Sequence, residues 1–90
     1  MKSPKKPMYA VYAIKSVRSD RVYIGQTKSI EERLAFHNAG HVKVTKKHRP
    51  WQLIALQTLE SRGQAMWKEG SLKKSQSART KWLEENKLNP

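Results

Sequence analysis

The sequence predicts a small α/β chain of the α+β kind: a three-stranded antiparallel sheet flanked by helices, in the order ββαβαα. Three observations lead there. An alternating segment from Tyr9 resumes at Val22, two serines are each followed three residues later by Glu or Gln, and an apolar run extends from Trp51 to Leu59. In the first segment Tyr9, Val11 and Ala13 alternate with Ala10, Tyr12 and Ile14. Val22-Tyr23-Ile24 follows the polar Arg18-Ser19-Asp20-Arg21, and the pair reads as a β-hairpin. Tyr12 opposite Tyr23 is one register that this hairpin permits. Ser29 with Glu32 is a capping-box pattern, so a helix opens there, runs to about Asn38 and stops at Gly40. Its 3.6-residue period puts Ile30, Leu34 and His37 on one face, with Arg33 at the edge. After a basic loop, Lys43 to Pro50, the run Trp51 to Leu59 is apolar enough for a third, mostly buried strand. Ser61 with Gln64 opens a second helix whose inward face carries Ala65, Met66 and Leu72, with Glu69 projecting between them. Ser77 to Lys87 gives a last helix with Trp82 and Leu83 as packing residues.

Ninety residues suit one domain, expected over 9–87, with a flexible basic tail over 1–8 and a short C-terminal tail over 88–90. Folding at this size buries a modest fraction of the chain, so a functional site belongs on an open surface. Zero cysteines exclude disulfides and thiolate metal sites. Carboxylate, hydroxyl and imidazole remain as ligands and suit hard ions such as magnesium or manganese. No apolar run approaches the ~20 residues of a membrane span. Met1-Lys2-Ser3-Pro4-Lys5-Lys6-Pro7 lacks the apolar stretch of a signal peptide, so the chain reads as cytoplasmic. Nineteen Lys+Arg against seven Asp+Glu leave a net charge of +12, the footprint of a polyanion partner. Charge alone does not choose among DNA, RNA, ribosome and anionic lipid. The lysines are spread over every segment, which argues against a membrane-surface helix.

Read one at a time, the polar residues have ordinary explanations. A carboxylate on an apolar helix stripe must be paired, neutralised or bound to a cation, and for Glu69 a salt bridge to Lys68, Lys73 or Arg33 would suffice. Arg33 reads as a surface charge and His37 as a packing histidine, although their spacing of one turn lets both face one pocket. Tyr12 and Tyr23 read as cross-strand packing, and Gly25 as a strand-end glycine. Thr45-Lys46-Lys47-His48-Arg49 is a basic loop, His41 and His48 are exposed polar residues, and Trp51, Trp67 and Trp82 lie in patterns that mean core.

Taken in order, these residues say more. Ala10-Val11-Tyr12, Tyr23-Ile24-Gly25, Arg33 with His37, and Glu69 before Leu72-Lys73-Lys74 resemble the GIY-YIG nucleases, most closely their small stand-alone bacterial members. His37-Asn38-Ala39-Gly40 and Arg49-Pro50-Trp51 extend the resemblance over roughly Tyr9 to Ser75. Ala10 and Val11 depart from the glycine and isoleucine of the pattern, and Gln26 stands where some relatives have lysine.

The resemblance implies a catalytic set of Tyr12, Tyr23, Arg33, His37 and Glu69. Glu69 would be the protein ligand to one magnesium or manganese ion, leaving the other positions to water and phosphate oxygens. Arg33 would clamp the scissile phosphate. Tyr12, relayed through His37, is favoured as the base, with Tyr23 as its competitor. Nucleic-acid contacts are expected at Gly25, where the backbone would approach the phosphate, at Gln26, Thr27 and Lys28, at Lys46, Lys47 and Arg49 of the loop, and at Lys73 and Lys74. The expected activity is metal-dependent endonucleolytic hydrolysis of DNA in repair or processing, with RNA left open and products carrying 5′-phosphate and 3′-hydroxyl. A single small domain implies low sequence specificity unless a protein partner supplies targeting. The alternatives are a nucleic-acid-binding module without useful turnover, and an RNA or ribosome accessory protein stacking bases on its tryptophans.

Overall fold

A computed structural model describes residues 8–88, so most of the expected N-terminal tail and the last two residues lie outside the described chain. The elements are β1 (Tyr9–Ser16), β2 (Val22–Thr27), α1 (Ile30–Ala39), a 3-10 turn (Lys46–His48), β3 (Trp51–Leu59), α2 (Arg62–Lys74) and α3 (Gln76–Asn86). The sheet is antiparallel in the order β2-β1-β3, which makes the apolar, almost wholly buried β1 the central strand.

Alternation along β1 divides the interior. Val11 and Ala13 join Ile24, Ala55, Ala65, Leu72 and Trp82 in one cluster, against α2 and α3. Tyr12 and Ile14 join Trp51 in the other, packed by Tyr23, Ile30, Leu34, Leu53 and Leu56. A bulge on β3 shifts the register between Ala13 and Ile14, so that the neighbours Ile54 and Ala55 both serve the first cluster. Lys87 bridges to Ala55, and the Leu88 amide donates to the Ile54 carbonyl at 3.0 Å. Leu88, expected in a tail, thus covers the outer edge of β3.

The hairpin takes a register other than Tyr12 opposite Tyr23. Tyr12 faces Gly25, and Tyr23 faces Ile14. The displacement is two residues, which preserves the face of every side chain, so the two tyrosines remain diagonal neighbours with ring centroids 6.4 Å apart. The turn residues set this pairing. The Ser16 amide donates to the Arg21 carbonyl, and the Ser16 hydroxyl accepts from the amides of Arg18 and Ser19.

Gly25 also acquires a reason different from the one its sequence suggested. A Cβ there would lie 2.5 Å from the Tyr12 hydroxyl oxygen and 2.6 Å from its ring. The missing side chain makes room for Tyr12.

Helix α1 begins at Ser29, whose hydroxyl accepts from the Glu32 amide at 3.4 Å. Only that half of the box forms, because the Ser29 amide donates instead to the Thr27 hydroxyl. Gly40 ends the helix in the left-handed conformation at φ 85°. On α2 the Ser61–Gln64 box is complete. Ala65 and Leu72 face inward as expected, but Met66 is exposed. Trp82 is buried and its indole N–H donates to the Gln57 side chain at 2.7 Å.

Two glycine substitutions should therefore have opposite signs. Gly25→Ala forces a Cβ into the Tyr12 ring and should destabilise by about 1–3 kcal/mol. Gly70, where a Cβ would meet nothing within 4 Å, should gain about 0.8–1 kcal/mol as alanine through helix propensity. Urea unfolding of both variants measures this; destabilisation of equal size in the two would refute the steric account.

Candidate active site

Tyr12, Arg33 and His37 meet through hydrogen bonds. The Arg33 Nε–H donates to the Tyr12 hydroxyl at 3.4 Å, and that hydroxyl lies 2.8 Å from His37 Nε2. The other imidazole nitrogen, Nδ1, is 2.8 Å from the hydroxyl of Thr45, which itself donates to the Val42 carbonyl at 3.3 Å. A hydroxyl has one proton, so the bond to Val42 makes Thr45 an acceptor from His37. Imidazole is then protonated on Nδ1 and accepts the Tyr12 proton at Nε2. The bonds run in one direction, from Arg33 through Tyr12, His37 and Thr45 to a backbone carbonyl. Among the described residues no buried side-chain nitrogen or oxygen lacks a partner.

Thr45 was read only as part of the basic loop, yet it is buried beside the fully buried His37. Its backbone carbonyl also accepts from the Trp51 indole N–H at 2.8 Å. A lone threonine before a run of lysines gave no sign of this. Asn38, next to His37, clasps β3 by accepting from the Trp51 amide at 2.6 Å and donating to its carbonyl at 3.1 Å.

Burial separates two kinds of residue in the site. Tyr12 and His37 are wholly inaccessible at 0% exposure, whereas Tyr23, Arg33 and Glu69 are partly exposed. Burial pushes the Tyr12 phenol above its ordinary value of 10.0, against the opposing hydrogen bond from Arg33. The nearby Glu69 carboxylate pushes in the same direction as burial. Burial, and then the Arg33 charge, lower His37 from 6.5 to about 4, so its ring is neutral at pH 7. The bond to Tyr12 holds the Arg33 guanidinium more firmly charged than usual. A phenol shifted up beside an imidazole shifted down does not transfer its proton readily. Tyr12, favoured as the base, is out of reach of solvent, and its shift opposes that of its relay.

Tyr23 is the accessible tyrosine. Its ring centroid is 5.1 Å from that of His37, and the Lys73 ammonium sits 5.2 Å from it. Lys73 Nζ also bonds Glu69 Oε2 at 2.9 Å, one turn away on α2. The carboxylate thus has the salt bridge that periodicity alone suggested, and it stands at a partly exposed rim rather than on the inward stripe. An exposed pair of this kind contributes about 0–1 kcal/mol, so another cation can displace the lysine. Glu69 offers hard oxygen donors that fit magnesium or manganese, with most of the coordination left to water and phosphate. Among the described residues no group of three or more His, Cys, Asp or Glu forms a metal cluster. A single-carboxylate site is the arrangement these residues permit.

The expected nucleic-acid contacts are dispersed. Gly25 is buried under Tyr12, and Thr27 uses its hydroxyl within the α1 cap. Gln26 is half-buried, and Lys28 lies 5.7 Å from the Tyr9 ring centroid. Lys46, Lys47 and Arg49 converge with Arg18 and Lys43 on an open cleft of about 710 Å³. Arg49 also donates to the Lys46 carbonyl at 2.9 Å and rests against Gly40. Lys73 belongs to the Tyr23 rim, whereas Lys74 lines a separate cleft beside Trp67. His41 is exposed with its ring centroid 5.0 Å from that of Phe36, tilted, but His48 is half-buried and meets Trp51 edge-on. No helix among the described residues is long and apolar enough to cross a membrane.

A family model described as the GIY-YIG catalytic domain matches residues 8–84. A UPF0213 protein of Staphylococcus haemolyticus is 36% identical over 77 residues, which cover 83% of this chain and 93% of that protein. A UPF0213 protein of Syntrophus aciditrophicus is 37% identical over 71 residues, covering 77% of this chain and 79% of its own length.

The lowered His37 value carries a stability consequence. Its folded value of about 4 lies below the ordinary 6.5, so on acidification the unfolded chain takes up a proton first. This contribution is complete above about pH 6.5 and is lost as pH falls towards 4, by about 3 kcal/mol in all. Melting temperatures from pH 7.5 to 4.5 should fall more for wild type than for His37→Gln. Parallel curves would show that burial of neutral imidazole is not the cause.

Proposed function

The chain belongs to the GIY-YIG family, whose catalytic domain is that of a nuclease, and from that membership we propose a cytoplasmic, metal-dependent endonuclease that hydrolyses phosphodiester bonds of DNA with low sequence specificity. The observation that carries this reading is the division of the site into a buried hydrogen-bonded chain, Tyr12–His37–Thr45, and an accessible rim of Tyr23, Arg33, Glu69 and Lys73. Such a division suits phosphoryl chemistry, in which most of catalysis is positioning and charge stabilisation.

Each residue then has a distinct part. Arg33 is held at its Nε by Tyr12 and interacts also with Tyr23, and its partly exposed guanidinium can grip a phosphate. It borders an open cleft of about 210 Å³ with Thr27, Glu32 and Phe36. Tyr23 takes the proton from the attacking water as its own hydroxyl proton passes to solvent. It is the more accessible of the two site tyrosines, with the Lys73 ammonium 5.2 Å from its ring centroid. Water attacks phosphorus in line with the departing 3′-oxygen, which takes a proton from solvent, leaving 5′-phosphate and 3′-hydroxyl. Tyr12 and His37 do not touch the reacting atoms; they orient Arg33. Glu69 would hold the divalent ion, which when bound supplies positive charge to the phosphate oxygens and the leaving group. The excess of cations over acids provides sequence-independent backbone affinity.

The two tyrosines separate by experiment. Tyr23→Phe should keep the melting temperature and lower turnover by ~10²- to 10⁴-fold, as for loss of a general base. Tyr12→Phe leaves His37 Nε2 buried without a donor and should cost about 1–3 kcal/mol of stability, together with a smaller loss of turnover through Arg33. Plasmid nicking and thermal melts on the same preparations measure both. A greater catalytic loss in Tyr12→Phe than in Tyr23→Phe would return the base to Tyr12.

Glu69→Gln keeps shape but loses the charge that binds a hard cation. Nicking should collapse while melting and DNA affinity persist, because only a surface ion pair is lost. Undiminished nicking by this variant, or nicking by wild type in excess chelator, would end the metal-dependent reading, and DNA binding without nicking by folded wild type would leave a binding module as its replacement.

A further inference from the structure

Helix α2 has a second face that the cleavage site does not use. Gly63, Trp67, Gly70 and Lys74 recur along it at intervals of four, three and four residues, a single stripe of a 3.6-period helix. Trp67 is 70% exposed, whereas Trp51 and Trp82 are 5% and 3% exposed. The sequence placed Trp67 in the core, and the structure turns it out to solvent. Large exposed aromatics on a small domain mark recognition surfaces.

The two glycines sharpen this. Neither has the positive φ that favours glycine; among the described residues only Gly40 does. A Cβ at Gly70 would meet nothing within 4 Å, and one at Gly63 only the Ser61 hydroxyl at 3.9 Å. Backbone geometry and packing therefore give no reason for glycine at either place, and each weakens the helix. What they do is bare the helix on both sides of the indole. Two shallow clefts flank Trp67, one of about 490 Å³ with Met66, Gly70 and Lys74, the other of about 460 Å³ with Leu59, Gly63 and Lys68.

Lysines are the charged residues lining these clefts. The Lys68 ammonium is 5.8 Å from the Trp67 ring centroid, and no carboxylate lines either cleft among the described residues. A flat apolar slot rimmed by positive charge fits a ligand that is itself a flat ring joined to a negative charge, which is a nucleotide. We propose that Trp67 is a stacking platform for an unpaired nucleobase, with Lys68 and Lys74 neutralising the phosphates on either side. This rests on the reading of the chain as a nucleic-acid enzyme. Trp67 is only two residues from Glu69 on a helix ~10–12 Å across, so the stacked base belongs to a strand segment within a few nucleotides of the scissile bond. The site thereby favours substrates with an unpaired nucleotide beside the cut over continuous duplex.

The distribution of tryptophans provides the measurement, since Trp67 alone among them is exposed. Wild-type protein is titrated with single-stranded oligothymidylate, with a blunt duplex of the same length, and with heparin, a polyanion without bases. Oligothymidylate should quench tryptophan emission to saturation, while heparin binds without comparable quenching. Trp67→Ala should bind oligothymidylate roughly 5- to 150-fold more weakly, the range for loss of one base-aromatic stack, with duplex and heparin affinities unchanged. Gly70→Leu, which keeps the indole but fills one cleft, should reproduce part of that loss. Oligothymidylate affinity within twofold of wild type in Trp67→Ala overturns the platform. An equal loss on heparin overturns it too, because the effect is then electrostatic. Concentration-dependent self-association abolished by Trp67→Ala would assign the face to a second copy instead. If wild type nicks plasmid but fails the stacking test, the platform alone falls; if folded wild type binds none of the nucleic acids, both readings fall.

Discussion

The site depends on one close approach, that of the Tyr12 ring to the backbone of Gly25 across the β1–β2 ladder. Tyr12 is on the central strand and is the largest side chain with no exposure at all, so its hydroxyl must find partners inside the protein. The room over Gly25 aims it at α1, where Arg33 and His37, one helical turn apart, meet it from two sides. A one-residue slip of β1 would move Tyr12 into the α2–α3 cluster and leave Arg33 and His37 without their common partner. The strand is pinned on both edges, and the second cluster packs beneath the ring.

The electrostatics follow from that arrangement. His37 carries no charge at neutral pH because it is buried and because Arg33 is near. Neutral imidazole keeps a lone pair on Nε2 to accept from Tyr12, and this leaves the phenol oxygen facing Arg33 as an acceptor. Protonated imidazole would compete with Arg33 for the same oxygen and place two cations together in a buried space. The chain of bonds thus delivers one well-oriented positive charge to the surface. The rim residues need less support, since water screens and solvates them. Tyr23, Glu69 and Lys73 are held by one salt bridge and one cation–ring contact.

Much of the fold was legible because its signals are local. The third strand, Trp51–Leu59, shows as an apolar run, and α2 begins where its complete capping box predicts. The catalytic candidates were found through their order along the chain, and the structure assembles Tyr12, Arg33 and His37 into one hydrogen-bonded group. Four features were not legible. The hairpin register was open because an irregular turn from Val17 to Arg21 does not count residues for the reader, and a two-residue displacement preserves the alternation. Thr45 was hidden because its role lies in a bond to a side chain eight residues away across a loop. Met66 and Trp67 were placed inside because hydrophobicity suggests burial without requiring it. The accessibility difference between Tyr12 and Tyr23 likewise arises from which strand is central and which is the edge, a fact of topology.

Helix α2 shows how a chain this short meets several demands with one element. It buries only Ala65 and Leu72 and contains two glycines, so its intrinsic propensity is poor. Its ends are nevertheless well held. The capping box fixes the first turn, and at the last turn Arg79 of α3 donates to the Leu72 carbonyl at 3.0 Å, while the Ser75 hydroxyl accepts the Ala78 amide. Trp82 then anchors α3 through its bond to Gln57 on β3. The position of Glu69 beside Tyr23 is thus set by docking at both ends of α2 and through α3 to the sheet. Because the fixing contacts lie at the termini and on the Ala65–Leu72 face, the middle of the outer face is free of structural duty. That is where Trp67 stands between its glycines, on the same rigid support as the carboxylate.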